Sequence, residues 1–379
     1  MPPFINNIKF LCITYIIGFL SMGLAMGQEQ KRTMLDSLNF YGKISAQAAF
    51  FNENMALQEN APRIGIHIQR KMEKGFSISA QLEYGYHLID GTQFNNDANS
   101  TIEFSNNPFK KKDAFSSRLA IAKIQHAKWG AFSLGKQWGV YSEIANYTDN
   151  FTVFGGESNG VYSGNTDGGW KGTGRADNSF IYRNSFRSLS LGVQTQLFKN
   201  NTTTFGAALE YKFKFGLSLG TAYNIAQINE KYLDFISTKK NNNSNLLFAA
   251  KYEKKQLYLA ITFSTNADEF AVIEDSNGVQ IIGYPTYGYE FFGGYTFFKK
   301  LEVQAGFNGI HDINKDSAFK GKYKLLHYIF GLNYHFNKTV KLFCSARIAQ
   351  DSELVSTLAA DGVNVFSFGF SYTFNSKKW

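Results

Sequence analysis

Near its C-terminus the chain reads Phe366, Phe368, Phe370, Tyr372 and Phe374 in alternation with Ser367, Gly369, Ser371 and Thr373. Successive side chains of an extended strand point to opposite faces, so this stretch has one aromatic face and one small, polar face. The same period recurs in Leu189, Leu191 and Val193 against Ser190, Gly192 and Gln194, and in Phe205, Ala207, Leu209 and Tyr211 against Glu210 and Lys212. A sandwich would cover such faces with a second sheet, whereas a barrel would turn them toward lipid.

Counting the segments favours the barrel. Sixteen period-two stretches run from about 39–50 to 364–374, an even number. Tight turns at 73–75, 254–255, 299–300 and 337–338 alternate with longer polar connections. Short turns at one end and long loops at the other are the pattern of an outer-membrane barrel. Composition agrees: aromatic residues make up 16% of the chain, yet mean hydropathy is −0.25, as expected where the outside is apolar and the inside wet. The fold expected is therefore all-β, a transmembrane 16-stranded antiparallel barrel.

The first 27 residues differ from the rest. They hold an apolar run over 10–20, Lys9 as their one charge, and small residues near Ala25 and Gly27, which predicts a signal peptide at 1–27 and a barrel domain at 28–379. Cys12 falls in the leader and Cys344 is left alone, so no intrachain disulfide framework is expected. Without Lys9 the formal charge of +9 becomes +8. Its bases are scattered without runs or stripes, which argues against nucleic acid.

The longest connection, 139–177, contains eight glycines between Phe154 and Arg175. A phosphate-binding loop needs a helix N-terminus after its glycines, but 178–186 reads as another strand. The six histidines stand singly, with no Ser/His/Asp pattern and no cluster at metal-ligand spacing. Catalytic residues, metals and cofactors are accordingly not expected. An adhesin reading, with 89–114, 226–245 and 265–286 as the working surface, rests only on polar loops.

Ordered motifs add a resemblance. Tyr41-Gly42-Lys43, Arg63-Ile64-Gly65, Arg118-Leu119-Ala120, the run 135–141, Tyr147-Thr148-Asp149, Phe154-Gly155-Gly156-Glu157, Gly174-Arg175 and Tyr182-Arg183-Asn184-Ser185 resemble, in order and spacing, the general trimeric porins of Gram-negative outer membranes. This resemblance implies passive diffusion of small hydrophilic solutes and ions, a third loop folded into the pore, outer-membrane lipid and lipopolysaccharide as neighbours, and a homotrimer. It implies a constriction with Lys43, Arg63, Arg118 and Arg175 as a basic wall and Asp149 and Glu157 as the acidic loop side. Val153 stands where the family often has a further carboxylate. Parity independently turns Lys43 and Arg63 inward, on faces shared with Ser45 and Gln47 and with Gly65 and His67. Arg118 lies on a strand with small or apolar residues on both faces. Four bases against two acids predict weak cation selectivity or a mild anion preference, the rival reading being an anion- or substrate-selective channel. The aromatic that ends the barrel for assembly is either Phe374 or Trp379.

Overall fold

A computed structural model describes residues 35–51, 53–87, 89, 114–161, 169, 171–197, 203–227, 242–275, 278–313, 324–350 and 363–378. The expected leader at 1–27, the expected loop at 89–114 (except Ala114 and Ile89), Trp170 and Trp379 lie outside the described residues. From Ser37 onward the chain is one compact unit. Its strands are β1 (Ser37–Phe51), β2 (Asn54–Glu59), β3 (Arg63–Lys71), β4 (Phe76–Tyr86), β5 (Phe115–His126), β6 (Gly130–Trp138), β7 (Arg175–Phe186), β8 (Leu189–Leu197) and β9 (Thr203–Lys212). They continue as β10 (Leu217–Gln227), β11 (Asn242–Lys254), β12 (Leu257–Asp275), β13 (Gly278–Phe297), β14 (Leu301–Asp312), β15 (Lys324–His335), β16 (Val340–Gln350) and β17 (Val365–Lys378).

From β3 to β17 each strand pairs antiparallel with the next, β2 and β3 both pair with β1, and β1 pairs with β17 from Leu38↔Lys378 to Phe50↔Phe366, so the ring closes. Seventeen segments make sixteen staves. The lower part of β1 pairs with β3, its upper part with β2, so β2 and β3 are one stave broken at Asn60-Ala61-Pro62. Ala61 adopts φ 49° there, and Pro62 has no amide to give the ladder. Closure leaves no edge on which so many aromatic strands could aggregate.

Alternation sets the two faces. Phe248, Phe263, Phe330, Phe366 and Phe368 are exposed, while Asn224, Ser264, Glu290, Asn333 and Ser367, at the opposite parity, are at most 0% exposed. Cys344 is exposed on the apolar face. β17 stays in register with β1 beyond Phe374, as far as Lys378.

Two segments differ from the sequence expectation. The 265–286 stretch is no polar loop: β12 and β13 remain paired up to Asp275↔Gly278. The six residues of β2 continue the second stave above its break. Arg118 also gains an explanation. Leu119 pairs with Glu83 and Ser117 with Tyr84, leaving Arg118 as the extra residue of a β-bulge. A bulge reverses parity along its strand, so Arg118 and Leu119 are both buried, at 8% and 6% exposure.

Candidate functional site

The connection between β6 and β7 starts with a short helix, α1 (Val140–Ala145). No side chain caps it, but the Val140 amide donates to Gln194 Oε1 on β8 at 2.8 Å. Val140, Tyr141, Ile144, Ala145, Tyr147 and Val161 form a buried cluster with wall residues that include Ala208, Ala222, Leu247 and Ala260. Beneath this helix the wall therefore presents an apolar patch in which several residues are alanine. A second cluster seats Val153 and Phe154 against Ala49, Ile329, Phe343 and Val365.

Hydrogen bonds extend this seat around the ring. Tyr147 donates its hydroxyl to Glu210 of β9. Glu290 of β13, fully buried, accepts from the Ser158 amide at 2.6 Å, from Asn159 Nδ2 at 3.2 Å and from the Thr148 hydroxyl. Satisfying a buried carboxylate this way is what keeps it from being destabilising. Thr152 donates from its hydroxyl to Asn333 of β15 at 2.9 Å and accepts from Lys341 Nζ of β16 at 3.1 Å. Its carbonyl accepts from Asn60 Nδ2, at the β2–β3 break, at 2.8 Å. On the return limb, Asn224 and Gln194 donate to the carbonyls of Lys171 and Gly172 at 2.8 and 2.7 Å. Gly288 leaves room for the segment, since a β-carbon there would lie 1.6 Å from the Ser158 carbonyl oxygen.

The remaining sector carries three of the expected bases. Lys43 of β1 pairs directly with Arg63 of β3. Between Arg63 and the bulged Arg118 lies Glu83 of β4, 7% exposed. Its Oε1 is 4.0 Å from Arg63 Nε and 2.9 Å from Arg118 Nε. Tyr41 donates to Glu83 Oε2 at 3.0 Å, and Gln81 donates to the Tyr41 hydroxyl at 2.6 Å. Glu83 was missed in the sequence; its parity with Gln81 and Ser79 on the polar face of β4 is the signal that marks it.

Three of the expected bases, Lys43, Arg63 and Arg118, thus come together on adjoining strands. Arg175 is placed apart from them, 3% exposed at the start of β7, with its guanidinium carbon 5.7 Å from the Trp138 ring centroid. Asp149 is half-buried at the turn after α1. Glu157 is held against the wall, its carboxylate 2.8 Å from His327 Nδ1 and 3.6 Å from Arg347 Nη1. Burial alone would raise the Glu157 carboxyl, but His327 and Arg347 beside it hold it below the usual carboxylate range. Among the described residues no group of three or more His, Cys, Asp or Glu could hold a metal ion.

Comparison with known proteins bears on the fold and the family. The family described as Gram-negative porin matches residues 17–352. The chain is 24% identical over 383 residues to the outer membrane porin protein OmpD of Salmonella typhimurium, covering 95% of this chain and 98% of that one. It is 27% identical over 377 residues to outer membrane porin PhoE of Escherichia coli, covering 95% and 97%. Among solved structures, Salmonella typhi OmpF, determined in complex with daunomycin, superposes with a TM-score of 0.74 at 20% identity, covering 89% of this chain and 97% of that one.

Proposed function

This chain belongs to the Gram-negative porin family and forms an outer-membrane channel for passive diffusion of small hydrophilic solutes, and from that premise we propose that residues 139–161 fold inward and narrow its pore. The observation that carries this reading is the reach of one segment. Its partners lie on β8, β9, β13, β15, β16 and the β2–β3 break. A segment bonded to strands spread around so much of a closed ring can meet them all only from within.

The lumen then passes between this segment and the β1–β5 sector. Lys43, Arg63 and Arg118 form the basic side, and Asp149 faces them from the loop. Glu157 and Arg175 act at the loop's attachments, where their fields still reach the passage. Opposed charges at a constriction enrich counter-ions and orient dipolar solutes. No bond is made or broken in this mechanism. A cleaved leader at 1–27 and assembly as a homotrimer complete the proposal, both supported by the resemblance to general porins.

Val153 adds no charge and Glu83 offsets part of the basic wall, so the reading is weak cation selectivity or a mild anion preference. Reversal potentials across a planar bilayer in a salt gradient test it. Lys43→Ala and Arg63→Ala should each move the potential toward cations; unchanged potentials in both would remove these residues from the constriction.

A further inference from the structure

Toward the short turns, which face the periplasm, the same sector of wall carries a second set of bases below Lys43, Arg63 and Arg118. His67 of β3 lies four residues beyond Arg63 and Lys123 of β5 five beyond Arg118. At about 3.3 Å per residue, the two sets stand roughly 13 Å apart along the strands. His67 and Lys123 both point into the barrel, at the parity opposite to the exposed Ile66 and Ile124. Lys123 sits directly between Ser79 of β4 and Ser133 of β6, with His67 diagonal to it beside Gln81.

Arg183 of β7 closes the set. Its Nη1 is 3.4 Å from both Ser133 Oγ and Gln137 Oε1, Nη2 donates to the Trp138 carbonyl at 2.6 Å, and Nε donates to Glu143 Oε1 at 2.5 Å. The guanidinium is thereby fixed beside the serine next to Lys123. It acts electrostatically on Lys123, as Lys123 does on His67. Glu143 is taken up by Arg183, and among the described residues the side chains of Lys123 and His67 have no hydrogen bond or ion pair. The upper set differs, because Glu83 already stands between Arg63 and Arg118. Positive groups held close by a rigid sheet repel one another, and an anion among them relieves that repulsion.

The donors on offer are an ammonium with three N–H groups, an imidazole N–H and the Ser79 hydroxyl. A tetrahedral oxyanion can accept from all of them, and a doubly charged one gains most from the field. Taking the β1–β7 wall as the basic side of the lumen, we propose that Lys123, His67 and Ser79 form a binding site for phosphate and phosphate monoesters, with Arg183 adding positive potential from β7. The site lies between the constriction and the periplasm, so such solutes pause there on their way through.

Chloride-carried current through single channels of the full-length protein at neutral pH, with inorganic phosphate added in steps, tests this. Wild type should show a saturable fall in current. Lys123→Ala should raise the half-saturating phosphate concentration at least about fivefold, and Lys123→Arg, which restores the charge, should bring it back toward wild type. A wild-type current that shows no saturable fall overturns the site, as does an unchanged half-saturating concentration in Lys123→Ala. Relief of the block by Lys43→Ala and not by Lys123→Ala would put the ion at the constriction, overturning this site while the basic wall above it stands. Relief by Lys123→Ala, with reversal potentials unmoved in Lys43→Ala and Arg63→Ala, would support this site while removing that wall. Lys123→Gln serves if the alanine variant fails to insert.

Discussion

Glu83 lies between two guanidinium groups and accepts from a tyrosine hydroxyl as well. Its charge is what lets Arg118 remain buried beside a water-filled passage. Removing one partner of a buried pair strands the other, at a cost on the order of 3 kcal/mol. Glu83→Gln should therefore lower the thermal stability of the barrel and shift the reversal potential toward anions; a variant with wild-type selectivity would show that Glu83 does not set the field of the passage. At this scale the sequence was legible wherever parity ran unbroken. Lys43 and Arg63 could be turned inward by counting, and both share their faces with polar residues in the structure. Arg118 could not, because the extra residue of a bulge shifts the count and leaves no compositional mark.

At the scale of the element, the 139–161 segment is a small fold of its own laid on a wall shaped to receive it. The wall positions beneath it, Ala208, Ala222 and Ala260, are small residues set among polar ones, so in sequence they pass for an ordinary wet face. Glycine content announced the connection, but nothing local to 139–161 says which strands it will meet. Glu157 makes the attachment pH-dependent. Its carboxyl is held below the usual range, so its contribution to the seated loop is full above the ordinary carboxyl value of about 4.3 and is lost as pH falls through the lower folded value. Arg347 stays charged throughout, leaving Glu157 as the group whose charge is removed by acid. Single-channel current should stay quiet from neutral pH down to about 5 and become noisy well below about 4, with Glu157→Gln noisy at neutral pH. Equal noise for wild type at both extremes would mean that the loop is held without this carboxylate.

For the whole molecule, one sheet closed on itself separates two environments, and nearly every residue serves one or the other. The alternation that predicts the barrel also predicts which face is wet, which is why fold and function emerge from the same pattern. What alternation cannot supply is the cross-section, since that depends on a connection bonded to strands remote in sequence. The account's central claim is that Asp149 stands on that connection, within the passage and opposite Lys43, Arg63 and Arg118. Cys344 faces outward and can be replaced by serine, leaving Asp149→Cys as the one thiol within residues 28–379. Single-channel current is then recorded before and after a bulky, membrane-impermeant thiol reagent. Our account predicts a sharp, stepwise fall in conductance for Asp149→Cys and none for the Cys344→Ser parent; an unchanged current through a fully labelled channel would contradict it.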